Sequence, residues 1–143
     1  MKFTPLLLLL GSLSTAVLAD SAADQQSIEH LMRHTWERPD AALDVGPVTV
    51  EGGHAVAGWT QGQRGGRALL SKSASGWRVV LCAGDSLLDP ATLRSAGLTP
   101  EAAGHMSQAV IQAESALPPA RVKQLALFKG VMQVEQDPAH QGH

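Results

Sequence analysis

Residues 48–85 read V-T-V-E-G-G-H-A-V-A-G-W-T-Q-G-Q-R-G-G-R-A-L-L-S-K-S-A-S-G-W-R-V-V-L-C-A-G-D. Short runs of apolar, β-branched or aromatic residues alternate with glycine-bearing breaks, and the pattern that satisfies both is an antiparallel meander. Gly52-Gly53, Arg64-Gly65-Gly66-Arg67 and Ala74-Ser75-Gly76 mark the reversals, since glycine accepts positive φ without steric cost. The strands then fall at about 45–51, 54–61, 67–73 and 77–83. In the second, Ala55, Ala57 and Trp59 share one face while His54, Val56 and Thr60 share the other. The run Val79-Val80-Leu81-Cys82 is apolar on both faces, which places it centrally with helices covering at least one side.

Helical periodicity flanks this stretch. Upstream, a helix over 24–37 capped by Asp24 puts Ile28, Leu31, Met32, Thr35 and Trp36 on one face and His30, His34 and Glu37 on the other. Pro39 stops it by disfavouring helical geometry in the preceding residue. Downstream, Asp85 is the expected N-cap of a helical region carrying Leu87, Leu88 and Leu93. Thr99-Pro100-Glu101 then opens the clearest helix, with a stripe of Ala103, Met106, Val110, Ala113 and Leu117. Pro118-Pro119 breaks it, a further helix over 120–129 buries Val122, Leu125 and Phe128, and residues 131–134 read equally as an edge strand or a helical extension. The expected fold is α+β: an N-terminal helix, a small antiparallel meander of three to four strands, and C-terminal helices packed on one face.

The chain begins M-K-F-T-P-L-L-L-L-L-G-S-L-S-T-A-V-L-A, which has the basic start, Leu-rich core and small-residue end of a secretory signal peptide cleaved after Ala19. That apolar run is too short and too broken for a stable membrane span, so the mature protein is expected in the periplasm. The division is then 1–19 signal peptide, 20–136 a single α+β domain and 137–143 a flexible His-containing tail. The remaining ~124 residues suffice for one domain burying roughly two thirds of its unfolded surface. The full chain carries a net charge of −2, made more negative by loss of Lys2, and this excludes a nucleic-acid footprint. Cys82 is the only cysteine, so no internal disulfide forms, and its central strand position predicts a buried thiol.

Chemistry-bearing patterns are few. No Gly-x-Ser-x-Gly elbow and no informatively spaced carboxylate pair is present, so the chain reads as non-enzymatic. His30 and His34, at i and i+4, stack two imidazoles along one helix face within chelating reach of a metal ion, with Glu37 able to add a carboxylate. His140 and His143 offer two more imidazoles on the tail. Exposed imidazoles suit copper, nickel or zinc over calcium, and the alternative is simply a solvated helix face. His105-Met106 offers nitrogen and thioether donors, but Met106 belongs to the core stripe. The Arg64–Arg67 segment reads as a solvated hairpin turn, with anion capture by its backbone N–H groups and two guanidiniums as the sharper alternative.

The segments V-E-G-G-H-A-V-A-G-W-T-Q-G-Q-R-G-G-R-A-L-L and G-W-R-V-V-L-C-A-G-D-S-L, preceded by A-D-Q-Q-S-I-E-H-L, resemble the small exported proteobacterial proteins of the copper uptake system-associated family. The resemblance spans residues 24 to about 117 and is collinear. It implies export and an association with copper acquisition, and it defines no catalytic residues. Members often end in a His-containing tail, of which His140 and His143 are the part present here. The expectation is an exported, non-enzymatic accessory protein that binds or delivers copper ions, with a copper transporter or an outer-membrane copper receptor as partner. The metal residues are then His30, His34, Glu37, His140 and His143. The alternative is a binding module whose helix-on-sheet cleft, near Trp59 and Trp77, holds a small molecule or a partner segment.

Overall fold

The computed structural model describes the backbone of residues 15–134 and the side chains of residues 21–134. The expected leader up to residue 14 and the tail with His140 and His143 lie outside the described residues. The element order is α1 (Thr15–Trp36), β1 (Leu43–Glu51), β2 (His54–Gln61), β3 (Arg64–Ser73), β4 (Gly76–Ala83), a 3-10 turn (Asp85–Leu88), α2 (Pro90–Ser95), α3 (Pro100–Glu114), α4 (Pro119–Leu125) and β5 (Val131–Gln133). The α+β class therefore holds, with a sheet in the order β1-β2-β3-β4-β5, antiparallel throughout and one strand larger than the sequence pattern predicts.

Both faces of the sheet are covered. Ala55, Ala57 and Trp59 of β2, Ala68 and Leu70 of β3, and Val79 and Cys82 of β4 pack against Ile28 and Met32 of α1. Val56, Leu69, Leu81 and Ala83 point the other way, onto Leu87, Leu93, Ala103, Met106 and Val110. Between Leu69↔Leu81 and Leu70↔Val79 the register shifts by one residue, leaving Val80 as a bulge. Val80 packs with the second cluster beside Leu81, which is why this strand reads as apolar on both faces.

The α1 helix enters residue 24 already wound, so Asp24 is not its cap. Its carboxylate instead accepts hydrogen bonds from Lys72 Nζ at 2.8 Å and Trp77 Nε1 at 3.0 Å, pinning α1 to the far end of β3 and β4. These donors hold the Asp24 carboxyl below its ordinary range. A carboxyl depressed in this way stabilises the fold above its unfolded pKa, and the contribution disappears as pH falls through the folded value.

Arg67 overturns the reading of residues 64–67 as a solvated turn. The reversal is one step earlier, where Gly62 takes φ 60° between Gln61 and Arg64, and the Gly65-Gly66-Arg67 run lies inside β3. The Arg67 side chain is 0 % exposed. Its Nε and Nη2 donate to Glu114 Oε2 and Oε1 at 2.7 and 2.6 Å, and Nη1 donates to Asp85 Oδ1 at 3.1 Å. Burial works to discharge the guanidinium, but hydrogen bonds and charge from Glu114 and Asp85 outweigh it and hold its pKa above the ordinary value. Asp85 is thus spent on Arg67 rather than as the expected helix cap, and Asp89 caps α2 through Ala91 N.

Glycine in β3 answers to close packing rather than to turn geometry. A Cβ at Gly66 would stand 2.8 Å from Phe128 Cβ and 3.0 Å from Trp59 Cζ2, while one at Gly65 would strike the backbone of Gln124. The α4 helix therefore rests directly on the sheet. It ends at Leu125, short of the expected 129, and the chain turns at Gly130 (φ 74°) to add β5 beside β4. Residues 131–134 are thus mostly strand, not helical extension.

Two outcomes follow from these contacts. Glu114→Ala should destabilise the fold by about 3–5 kcal/mol by leaving Arg67 buried and unpaired. The double variant Arg67→Met/Glu114→Leu should recover most of that loss in chemical denaturation. Separately, Asp24→Asn should flatten the fall in stability on acidification below about pH 4, measured as unfolding midpoints across pH.

Candidate functional site

At the end of the sheet where β2 turns into β3, the C-terminal end of α1 leaves the surface open. Met32 and Trp36 of α1, Arg38 and Ala41 of the following loop, and Leu43 at the start of β1 form one wall. Trp59, Gln61, Arg64, Cys82, Phe128 and Met132 form the floor and the opposite wall. The cleft they enclose has a volume of about 320 Å3.

Three features hold it open. Gln61 Nε2 donates to the carbonyls of Trp36 and Ala41, each at 3.0 Å, tying the helix end to the sheet with a spacing that side chains do not fill. Trp59 and Phe128 meet edge to face, with centroids 6.1 Å apart and planes at 75°, over the missing side chain of Gly66. Cys82 and Met132 sit opposite each other across the β4–β5 pairing, so β5 builds the last wall. The expected cleft near Trp59 is present, but Trp77 is no part of it. Trp77 pairs with Lys72 at the other end of β3 and β4, where its indole N–H serves Asp24.

The cleft is electrostatically one-sided. Arg38 and Arg64 are exposed, and neither guanidinium makes an ion pair among the described residues. Among the described residues no carboxylate lines the cavity. Burial pushes the Cys82 thiol up to about 11, so it is uncharged near neutrality, in line with the inert buried thiol expected from its strand.

The histidine pair lies elsewhere. His30 and His34 stand on the exposed side of α1 with ring centroids 6.0 Å apart and planes at 13°. Gln26, Glu29, Arg33 and Glu37 share this open face, and Arg33 is paired with Glu29 at 3.1 Å. Glu37 Oε2 accepts from the Leu43 backbone N–H at 2.9 Å, which draws this carboxylate toward β1. Among the described residues no three His, Cys, Asp or Glu side chains converge as a metal-binding group. His105 is exposed on α3, while Met106 is buried in the core.

Arg64 carried an anion alternative in the sequence pattern, but nothing there placed Arg38, Phe128 and Met132 beside it, because a loop, a strand start and a late edge strand bring them together only after the sheet forms. The one other sequence signal was Gly66 beside Trp59 in the meander, which reads as a turn until the register is known.

A thiol-reactive disulfide reagent at about pH 8 should label native Cys82 on the order of a hundredfold more slowly than the unfolded chain, because so little thiolate is present and the sulfur is buried. Equal rates would show that the cleft floor opens freely. No family model, no curated protein and no solved structure matches this chain.

Proposed function

We propose that this chain is an exported, non-enzymatic accessory protein of copper handling that carries copper ions at an exchangeable surface site. The resemblance of its meander to the copper uptake system-associated family supports the metal. The observation that carries the reading is the parallel stacking of His30 and His34, 6.0 Å apart on an exposed helix face. Both rings are free to rotate in solvent, so modest χ changes bring two nitrogens onto one ion. Two imidazoles leave Cu(II) short of its usual ligand set, so water or a partner's side chain completes the coordination. A site of that kind releases its ion readily, as delivery to a transporter or receptor requires, and Glu37 is available only through the oxygen not held by Leu43. His140 and His143 belong to the same proposal as a second, tail-borne pair.

A second reading is favoured by the cleft. About 320 Å3 of mostly apolar space beside Trp36 and Trp59 is at the small end of ligand cavities. Under this reading the chain is a small-molecule binding module, and its link to copper is indirect. Of the described helices, none is long and apolar enough to cross a membrane, which agrees with either role.

Calorimetric titration with Cu(II) decides the first reading. The wild-type mature protein should bind stoichiometrically. His30→Ala/His34→Ala should weaken binding at least about tenfold, and a form ending before His140 should show what the tail adds. Equal, weak uptake by all three forms, no better than that of an unrelated protein of the same histidine content, would end the copper-carrier reading.

A further inference from the structure

We infer that the cleft under the C-terminal end of α1 binds a small organic anion: an apolar, ring-bearing body with one carboxylate, the body between Trp36 and Trp59 and the carboxylate between Arg38 and Arg64. This rests on the cleft reading above and names the ligand class for it.

The argument begins with charge. Both guanidiniums stand on the rim of one cavity, and neither has an ion-pair partner among the described residues. The buried Arg67 and the half-buried Arg121, by contrast, are fully used: Arg67 by Glu114 and Asp85, Arg121 by Asp44, Thr60 and the Gly46 carbonyl. Glu37 and Asp40 lie close to Arg38 in sequence, but among the described residues no acidic side chain lines the cavity. A cation placed there meets two like charges and no counter-charge among the described lining residues, whereas a carboxylate meets two planar donors suited to it.

Size and lining then limit the rest of the ligand. A volume of about 320 Å3 admits a single-ring body with a short chain. Trp36, Trp59 and Phe128 offer ring faces and edges, and the thioethers of Met32 and Met132 adapt to an aromatic edge. The neutral thiol of Cys82 on the floor adds no charge to this apolar end. Both amide hydrogens of Gln61 are directed at the Trp36 and Ala41 carbonyls, so the polar groups of the wall are already satisfied. An amphipathic anion thus buries its body without stranding a polar group, and its carboxylate stays at the solvent edge, where desolvation costs least.

The test compares three probes of one shape, 4-phenylbutyrate, 4-phenylbutan-1-ol and 4-phenylbutylamine, by calorimetry and by NMR of the three tryptophan indole N–H signals. The expected result is saturable binding of the carboxylate, with shifts at Trp36 and Trp59 and none at Trp77. Arg38→Gln/Arg64→Gln should weaken it by roughly tenfold or more while Arg78→Gln, on an exposed residue outside the cleft lining, leaves it unchanged. Both substituted rim residues are exposed, and unchanged indole spectra of the free variant confirm that it folds. If alcohol and carboxylate bind equally at Trp36 and Trp59, the cleft is a ligand site but the anion assignment is wrong. If no probe moves either signal, the cleft reading fails with it.

Discussion

A fully buried arginine sets the terms for this fold. Arg67 sits in the middle strand of a five-stranded sheet, where an unpaired guanidinium would cost several kcal/mol. Glu114 meets it with two hydrogen bonds and Asp85 with a third. Those partners come from the last turn of α3 and from the residue that follows β4 by one glycine. The helical layer over this face is therefore held in place by one side chain as well as by the apolar contacts of Met106 and Val110. Such a pair adds little net stability over a well-packed apolar substitute, but it penalises any arrangement in which α3 is displaced.

The position of α3 has consequences at the other face. Pro118 and Pro119 start α4 directly after it, and Gly58 and Gly65 clear the sheet surface so that Leu125 can lie flat on it. Arg121 locks this helix to the interrupted part of β1 by donating to the Gly46 carbonyl at 2.7 Å. The chain then passes Gly84 at close range, delivers Phe128 to Trp59 on the α1 side, and returns as β5. The cleft is thus completed by residues that follow the helical layer of the opposite face in the chain.

The proposed roles divide along the same lines. The histidine pair is a property of one helix and its solvent face, suited to loose and reversible metal capture. The cleft is a property of the whole molecule, with an apolar interior and a positively charged rim. A cation and an organic anion would therefore be held at separate places on α1, on opposite sides of the helix, and neither needs the other to bind.

Local physics made the strand pattern, the Thr99-Pro100 helix start, the core side of α1 and the pairing of His30 with His34 legible in the sequence alone. Each depends on periodicity or on capping chemistry within a few residues, so no tertiary information enters. Arg67 was misread for the same reason: by composition, Arg-Gly-Gly-Arg is a turn, and only the packing of Gln124 and Phe128 against Gly65 and Gly66 reveals why the glycines are there. Asp24 and Asp85 likewise looked like caps, whereas Lys72, Trp77 and Arg67 claim them from 18 to 53 residues away. Residues 131–134 were ambiguous because a three-residue edge strand has no period of its own and forms where β4 offers free backbone groups. Up to residue 125, sequence determined which segments are strands and helices and which face of each is apolar. Tertiary structure alone decided which charges go inside, where α4 lies and which residues line the cleft, because those outcomes depend on hydrogen bonds and close approaches between residues far apart in the chain.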